Sequence, residues 1–213
     1  MAMGNSVQPF LSEYRVGMTA NPAHRLPDIG ALASILGHHF EDPTRLTHAL
    51  THASATASGR RLDSNERLEF LGDRVLGLVL AEMLLARFPS EEEGDIASRF
   101  TALARSEALT RVAREIDLGT HLILSQGEQD SGGKVKPKVL ADACEAVIAA
   151  LYSDGGLPAA RQFITGHWTA LLEEMVDPPK DFKTSLQEWV QARGLAVPRY
   201  REVGRTGPAH APV

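Results

Sequence analysis

The sequence has one cysteine in 213 residues, so it cannot form an internal disulfide. That residue, Cys144, sits in an apolar run, where a core thiol is the expected reading rather than a nucleophile or a ligand. No apolar stretch is long enough to span a bilayer, and residues 1–27 lack the charged-then-apolar order of a secretion signal. The chain is therefore expected to be soluble and cytoplasmic, with no membrane partner. Several catalytic patterns are missing as well. There is no G-x-S-x-G elbow for a nucleophilic serine and no His-Asp dipeptide of the metal phosphohydrolase type. No His follows a Glu at the three-residue spacing of di-iron bundles. His38, His39, His48 and His52 accordingly read as core or surface side chains. A basic balance is lacking too: the net charge is −5. Residues 181–213 hold five Lys and Arg against three Asp and Glu, which leaves −7 for residues 1–180. Net charge alone argues weakly against a nucleic-acid partner.

What is present is acid in an unusual place. Asn65-Glu66-Arg67-Leu68-Glu69-Phe70-Leu71-Gly72-Asp73 opens a helix whose remaining surface, Leu68, Leu71, Val75, Leu78, Val79, Met83 and Leu84, is apolar. At 3.6 residues per turn Glu66, Glu69 and Asp73 share one arc of about 60°. Like charges bundled on a mostly buried helix are costly unless something positive sits among them, and a hard divalent cation is the simplest partner. The plain alternative is a solvated stripe. Asp63 and Glu66 also have the spacing of a capping pair, which would account for Glu66 but not for Glu69 or Asp73. Asp142 and Glu145 repeat the pattern in Val139–Leu151, three apart among alanines and other apolar residues that let a neighbouring helix come close. Glu91-Glu92-Glu93-Gly94-Asp95 is a third acidic stretch, explained for Glu91 and Glu92 by the dipole of the helix that follows.

The organisation is mostly helical. Residues 1–27 read as a loose extension. Asp28 caps a first helix running through His39, and Asp42-Pro43 is an N-cap with Pro at N1, starting a second toward His52. A loop follows from Ala53 to Arg61, then the acidic helix from about Asn65 to Arg87, stopped by Phe88-Pro89. Helix resumes from Gly94 to Asp117, broken near Ser106. Residues 127–137 read as a flexible basic loop. Helices at about 138–153 and 157–176 are separated by Asp154-Gly155-Gly156, and Asp177-Pro178-Pro179 makes a stiff linker. A last helix, 182–193, precedes a strand at 199–203.

Glu66-Arg67-Leu68-Glu69-Phe70-Leu71-Gly72-Asp73, with Asn65 before it, resembles the nine-residue signature of the ribonuclease III family. Leu140-Ala141-Asp142, Glu145-Ala146 and Phe88-Pro89 followed by Glu93-Gly94-Asp95 match the same family in the right order, from about Asp28 to Met175. The resemblance implies an all-α endonuclease domain, residues 28–176, followed after a linker at 177–180 by the start of an α+β double-stranded-RNA-binding domain at 181–213. It implies a phosphodiester hydrolase that uses Mg²⁺, with Mn²⁺ as a substitute, to cut double-stranded RNA. The products carry 5′-phosphates, 3′-hydroxyls and short 3′ overhangs, in rRNA and mRNA processing. Glu69, Asp73, Asp142 and Glu145 would be the metal-site residues, with Asp73 and Glu145 at the centre of catalysis and Glu66 and Glu93 in support. The family works as a homodimer, and Phe70 matches the residue that enters a pocket on the partner subunit. An ordinary core phenylalanine is the alternative.

In the second module Thr184, Gln187 and Glu188 match the first-helix RNA contacts, and Gly207-Pro208-Ala209-His210 matches the minor-groove loop. The chain stops at Val213, before the later strands and the lysine-rich second helix, so the segment is expected to be poorly ordered by itself. Two other classes compete. A dimeric RNA-binding or regulatory protein on this fold that no longer cuts would have no use for six acids facing phosphates. A metal-storing bundle would need Glu-x-x-His pairs.

Overall fold

The computed structural model describes residues 28–56, 63–179, 182–196 and 198–199. Within them the regular structure is helical, with no sheet; one isolated parallel bridge joins Thr51 and Ile123. The α-helices in chain order are α1 Ile29–Ile35, α2 Pro43–Ala49, α3 Glu66–Arg87, α4 Glu93–Ala104, α5 Ser106–Glu115, α6 Gln126–Asp130, α7 Pro137–Glu174 and α8 Phe182–Gln191.

Local chemistry explains the boundaries. Asp28 and Asp42 cap α1 and α2, their carboxylates accepting from Ala31 N and Thr44 N at 2.9 and 3.0 Å. α3 begins at Glu66, with Asn65 at its N-cap position. Asn65 is buried, and its N–H donates to Thr51 O at 2.9 Å. Residues 127–137 depart from expectation, because they are built rather than loose. Ser125 caps α6 by accepting from Glu128 N at 3.2 Å, and Lys136 Nζ bonds Glu128 Oε1 at 2.8 Å and Ser131 Oγ at 2.9 Å. The expected strand at 199–203 and the extension at 1–27 fall largely or wholly outside the described residues.

The core is organised around the first half of α7. Val139 to Leu151 is buried on nearly every side, Cys144 included, with Asp142 and Glu145 its half-buried acids. A helix apolar all round has to be enclosed, and α3 and α5 enclose it. α7 bends at Gly156, whose φ of 69° is open to glycine but strained for other residues. The expected pair of helices is thus present as the two halves of α7, separated at Gly156 by a residue with non-helical backbone angles. Trp168 in the second half is fully buried, and its indole N–H donates to Leu103 O at 2.9 Å.

Two charged anchors close the domain. Asp154 accepts from His38 Nε2 at 2.8 Å and from the N–H groups of Glu41 and Asp42 at 3.0 and 3.1 Å, pinning the α1–α2 connection to α7. Arg99, 1% exposed, grips both Glu91 oxygens at 2.8 Å and the Met175 carbonyl at 2.7 Å, and its guanidinium lies 3.8 Å from the centroid of the Phe88 ring. No helix among the described residues is long and apolar enough to cross a membrane.

Candidate active site

The acids of α3 and α7 meet because a glycine lets the two backbones touch. A Cβ on Gly72 would stand 1.8 Å from the Glu145 carbonyl oxygen, so alanine there would force the helices apart. Beyond the crossing, buried Val75, Leu76, Val79 and Leu80 continue the α3 face into the core. Glu69 lies one turn before the contact, and on the other helix Glu145 lies at it with Asp142 one turn before. One carboxylate oxygen from each of Glu69, Asp142 and Glu145 falls within 4.8 Å of the others, and all three side chains are half-buried.

Electrostatics sets this cluster apart. Burial, then the charges of Glu69 and Asp142, push the Glu145 carboxyl up to about 7 from an ordinary 4.5. Burial and the Asp142 charge likewise raise Glu69. The ammonium of Lys138 reaches them: its Nζ lies 2.8 and 3.1 Å from the two oxygens of Asp142, and that contact raises its own pKa. Hard oxygen donors, crowded within bonding reach of one point and incompletely neutralised, fit a divalent cation such as Mg²⁺.

The remaining expected site residues take other positions. Glu66 is half-buried in the first turn of α3, and its charge adds to the upward push on Glu69. Asp73 is on α3 one turn beyond Glu69, paired with Arg74, whose guanidinium lies 4.8 Å from the centroid of the Phe70 ring. Glu93 is exposed in the first turn of α4. None of these three belongs to the converging group. Phe70 is 65% exposed, which rules out the ordinary core reading within this chain; Leu78 and Leu85, at 51% and 62%, are exposed with it. The apolar face expected of α3 is therefore divided: Val75, Val79 and Leu84 go inward and Leu78 does not. Gln187 is half-buried on α8. The side chains of Thr184 and Glu188, and all of His210, lie outside the described residues.

Lys138 was not singled out by the sequence reading, although its i, i+4 spacing from Asp142 is a recognised signal for an ion pair. The structural use of Gly72 was also missed; a glycine inside a buried helical pattern is the sign of close backbone approach.

Comparison with known proteins agrees with this architecture. A ribonuclease-III-like family model matches residues 42–171. The chain is 50% identical over 186 residues to ribonuclease 3 of Jannaschia sp. (strain CCS1), covering 87% of this chain and 81% of that protein. It is 48% identical over 193 residues to ribonuclease 3 of Rhodopseudomonas palustris, covering 91% and 71%. Among solved structures, the nuclease domain of ribonuclease III from Campylobacter jejuni is similar at a TM-score of 0.62 and 37% identity, covering 67% of this chain and 99% of that one. The molecule is thus an endoribonuclease, a phosphodiester hydrolase, whose described residues form an all-α nuclease domain. The chain belongs to the ribonuclease III family.

Proposed function

We propose that this endoribonuclease cuts double-stranded RNA in a Mg²⁺-dependent reaction, leaving 5′-phosphates, 3′-hydroxyls and short 3′ overhangs, and that it serves rRNA and mRNA processing in the cytoplasm. The observation that carries the reading is the meeting of Glu69, Asp142 and Glu145 within 4.8 Å across the Gly72 contact. These three, with Asp73 as a fourth, would hold the cation, and Mn²⁺ is a chemically acceptable substitute. The chemistry supplied by bound Mg²⁺ is acidification of a water and neutralisation of a departing ribose oxygen. Glu145, with its carboxyl near 7, holds a proton for part of the time at neutral pH, so cation binding is coupled to proton release from it. Half-burial of the three acids themselves limits the positions their carboxylates can take. Glu66 and Glu93 would act in support.

The proposal extends to the assembly. Phe70, Leu78 and Leu85 form an exposed apolar strip on one side of α3 within an arc of about 80°. Such a strip suits a second copy of the chain, which would set two centres on the two strands of a duplex. Phe70→Ala should weaken that dimer by about 2 kcal/mol or more while barely moving the stability of the monomer; sedimentation at several concentrations reads the difference. Residues 28–176 are proposed as the catalytic domain, with 177–180 as linker and 181–213 as part of an RNA-binding domain that contacts the duplex through Thr184, Gln187, Glu188 and His210.

The test is incubation of the protein with a long RNA duplex, with and without Mg²⁺, beside Glu145→Gln. Metal-dependent cutting by the parent chain and none by the variant is the expected result. Duplex binding without cutting in the parent would favour a non-catalytic RNA-binding protein on this fold.

A further inference from the structure

Lys138 is 81% exposed, yet its ammonium holds both oxygens of Asp142, at 2.8 and 3.1 Å. Its tether is short. Lys138 stands on the first turn of α7, one turn before Asp142, so no rearrangement of the fold is needed for the ammonium to come or go. Asp142 is in turn one of the three acids whose oxygens lie within 4.8 Å of one another. A carboxylate with both oxygens given to an ammonium cannot give the same lone pairs to a divalent ion. The two cations therefore compete for one ligand.

We propose that Lys138 is a tethered counter-cation of the acidic cluster: it occupies Asp142 when metal is absent, is displaced outward when metal enters, and so lowers the affinity of the centre for divalent ions. The inference rests on the reading of Glu69, Asp142 and Glu145 as metal ligands. Metal entry then exchanges one neutralising charge for another, so that the cluster is never left without a cation. The displaced ammonium stays within one side-chain length of the acids, because the backbone that bears it is fixed by the α7 helix.

Binding of Mn²⁺ alone, by titration calorimetry without RNA, tests this on the full chain. Lys138→Met removes the charge and keeps the length; Lys138→Arg keeps the charge. The exposure of the side chain makes both substitutions compatible with folding. The expected result is Mn²⁺ binding about two- to fivefold tighter in Lys138→Met than in the parent, the range for an exposed ion pair that no longer has to be broken, with Lys138→Arg restoring parental affinity. The metal-induced rise in melting temperature should grow in the same order. Unchanged or weaker Mn²⁺ binding in Lys138→Met would overturn the proposal, weaker binding meaning that the ammonium organises Asp142 for the metal instead. Glu145→Gln is the control that separates the two readings. If the parent and Glu145→Gln bind Mn²⁺ alike, the metal assignment itself has failed; if only Lys138→Met is silent, the metal centre stands and the counter-cation does not.

Discussion

Glu145 and Asp154 stand nine residues apart on the same helix, and their surroundings push them in opposite directions. Burial raises both carboxyls. At Asp154 that push is outweighed by hydrogen bonds from His38 and from the N–H groups of Glu41 and Asp42, and the carboxyl is held below its ordinary range. At Glu145 the neighbours are Glu69 and Asp142, and they add to the push. One acid is satisfied by donors that the fold itself supplies. The other has two like charges beside it that Lys138 and Arg74 offset only in part, at the point where Gly72 brings two backbones into contact. Arg99 is satisfied in the way Asp154 is, by Glu91 and the Met175 carbonyl. The difference separates acids that hold the structure from acids that the structure holds for something else.

The comparison is broken most directly at Glu145. Glu145→Gln keeps the shape and removes the charge, and cleavage of duplex RNA should fall by on the order of a thousandfold or more. Its metal-free form should melt no lower than the parent at neutral pH, because the charge removed was an unfavourable one. Cleavage near the parental rate would remove Glu145 from the centre. A large loss of stability would mean that it is an acid of the Asp154 kind.

Much of this was legible before any coordinates. The helix starts after Asp28 and Asp42 and the stop at Phe88-Pro89 follow from capping and proline chemistry, which act within a few residues. The shared face of Glu66, Glu69 and Asp73 follows from helical period. What the period cannot supply is rotamer and distance. It puts Asp73 in the same arc as Glu69, whereas in the fold Asp73 turns to Arg74 and Asp142 and Glu145 come closer. It also treats Leu78 as one more core residue, because a hydrophobic pattern does not distinguish a face covered by the same chain from one left open. Residues 127–137 were misjudged for a different reason. Their glycines and lysines suggest a loop, but Lys136 bridges back to Glu128 and Ser131, a pairing that depends on the turn already being formed.

Asp154→Ala should sharpen the contrast from the structural side. It leaves the Glu41 and Asp42 N–H groups and the His38 ring without their acceptor, which costs about 2–3 kcal/mol. Urea unfolding reads that loss as a lower midpoint at unchanged slope. Cleavage at a temperature where the variant is folded should stay within about threefold of the parent, since Asp154 lies some two and a half turns along α7 from Glu145. A collapse of activity in the folded variant would show that the α1–α2 anchor also sets the geometry of the acids.

The smallest expected effect is a pH dependence whose sign differs between the two acids. Glu145 is raised to about 7 in the folded chain from an ordinary 4.5, so between these values the native state binds more protons than the unfolded one. Stability of the metal-free protein must then fall as pH rises from about 4.5 to about 7, and stay low above it. Asp154 works the other way: its depressed carboxyl contributes stability above its ordinary value of 3.8, which is lost as pH falls through its folded value. After allowance for solvent screening at the half-buried Glu145, its contribution is on the order of 1–2 kcal/mol, or about 2–8 °C in melting temperature. Thermal melts in chelator should therefore be higher near pH 5 than near pH 8, and Glu145→Gln should remove most of that difference while Asp154→Ala leaves it in place. Added Mg²⁺ should reverse the slope in the parent, because the ion binds the ionised acids and its affinity grows as Glu145 loses its proton. A metal-free profile that is flat from pH 5 to 8, or one that Glu145→Gln leaves unchanged, would mean that the acids at the Gly72 crossing are neutralised by the fold after all, and that the contrast with Asp154 is one of position only.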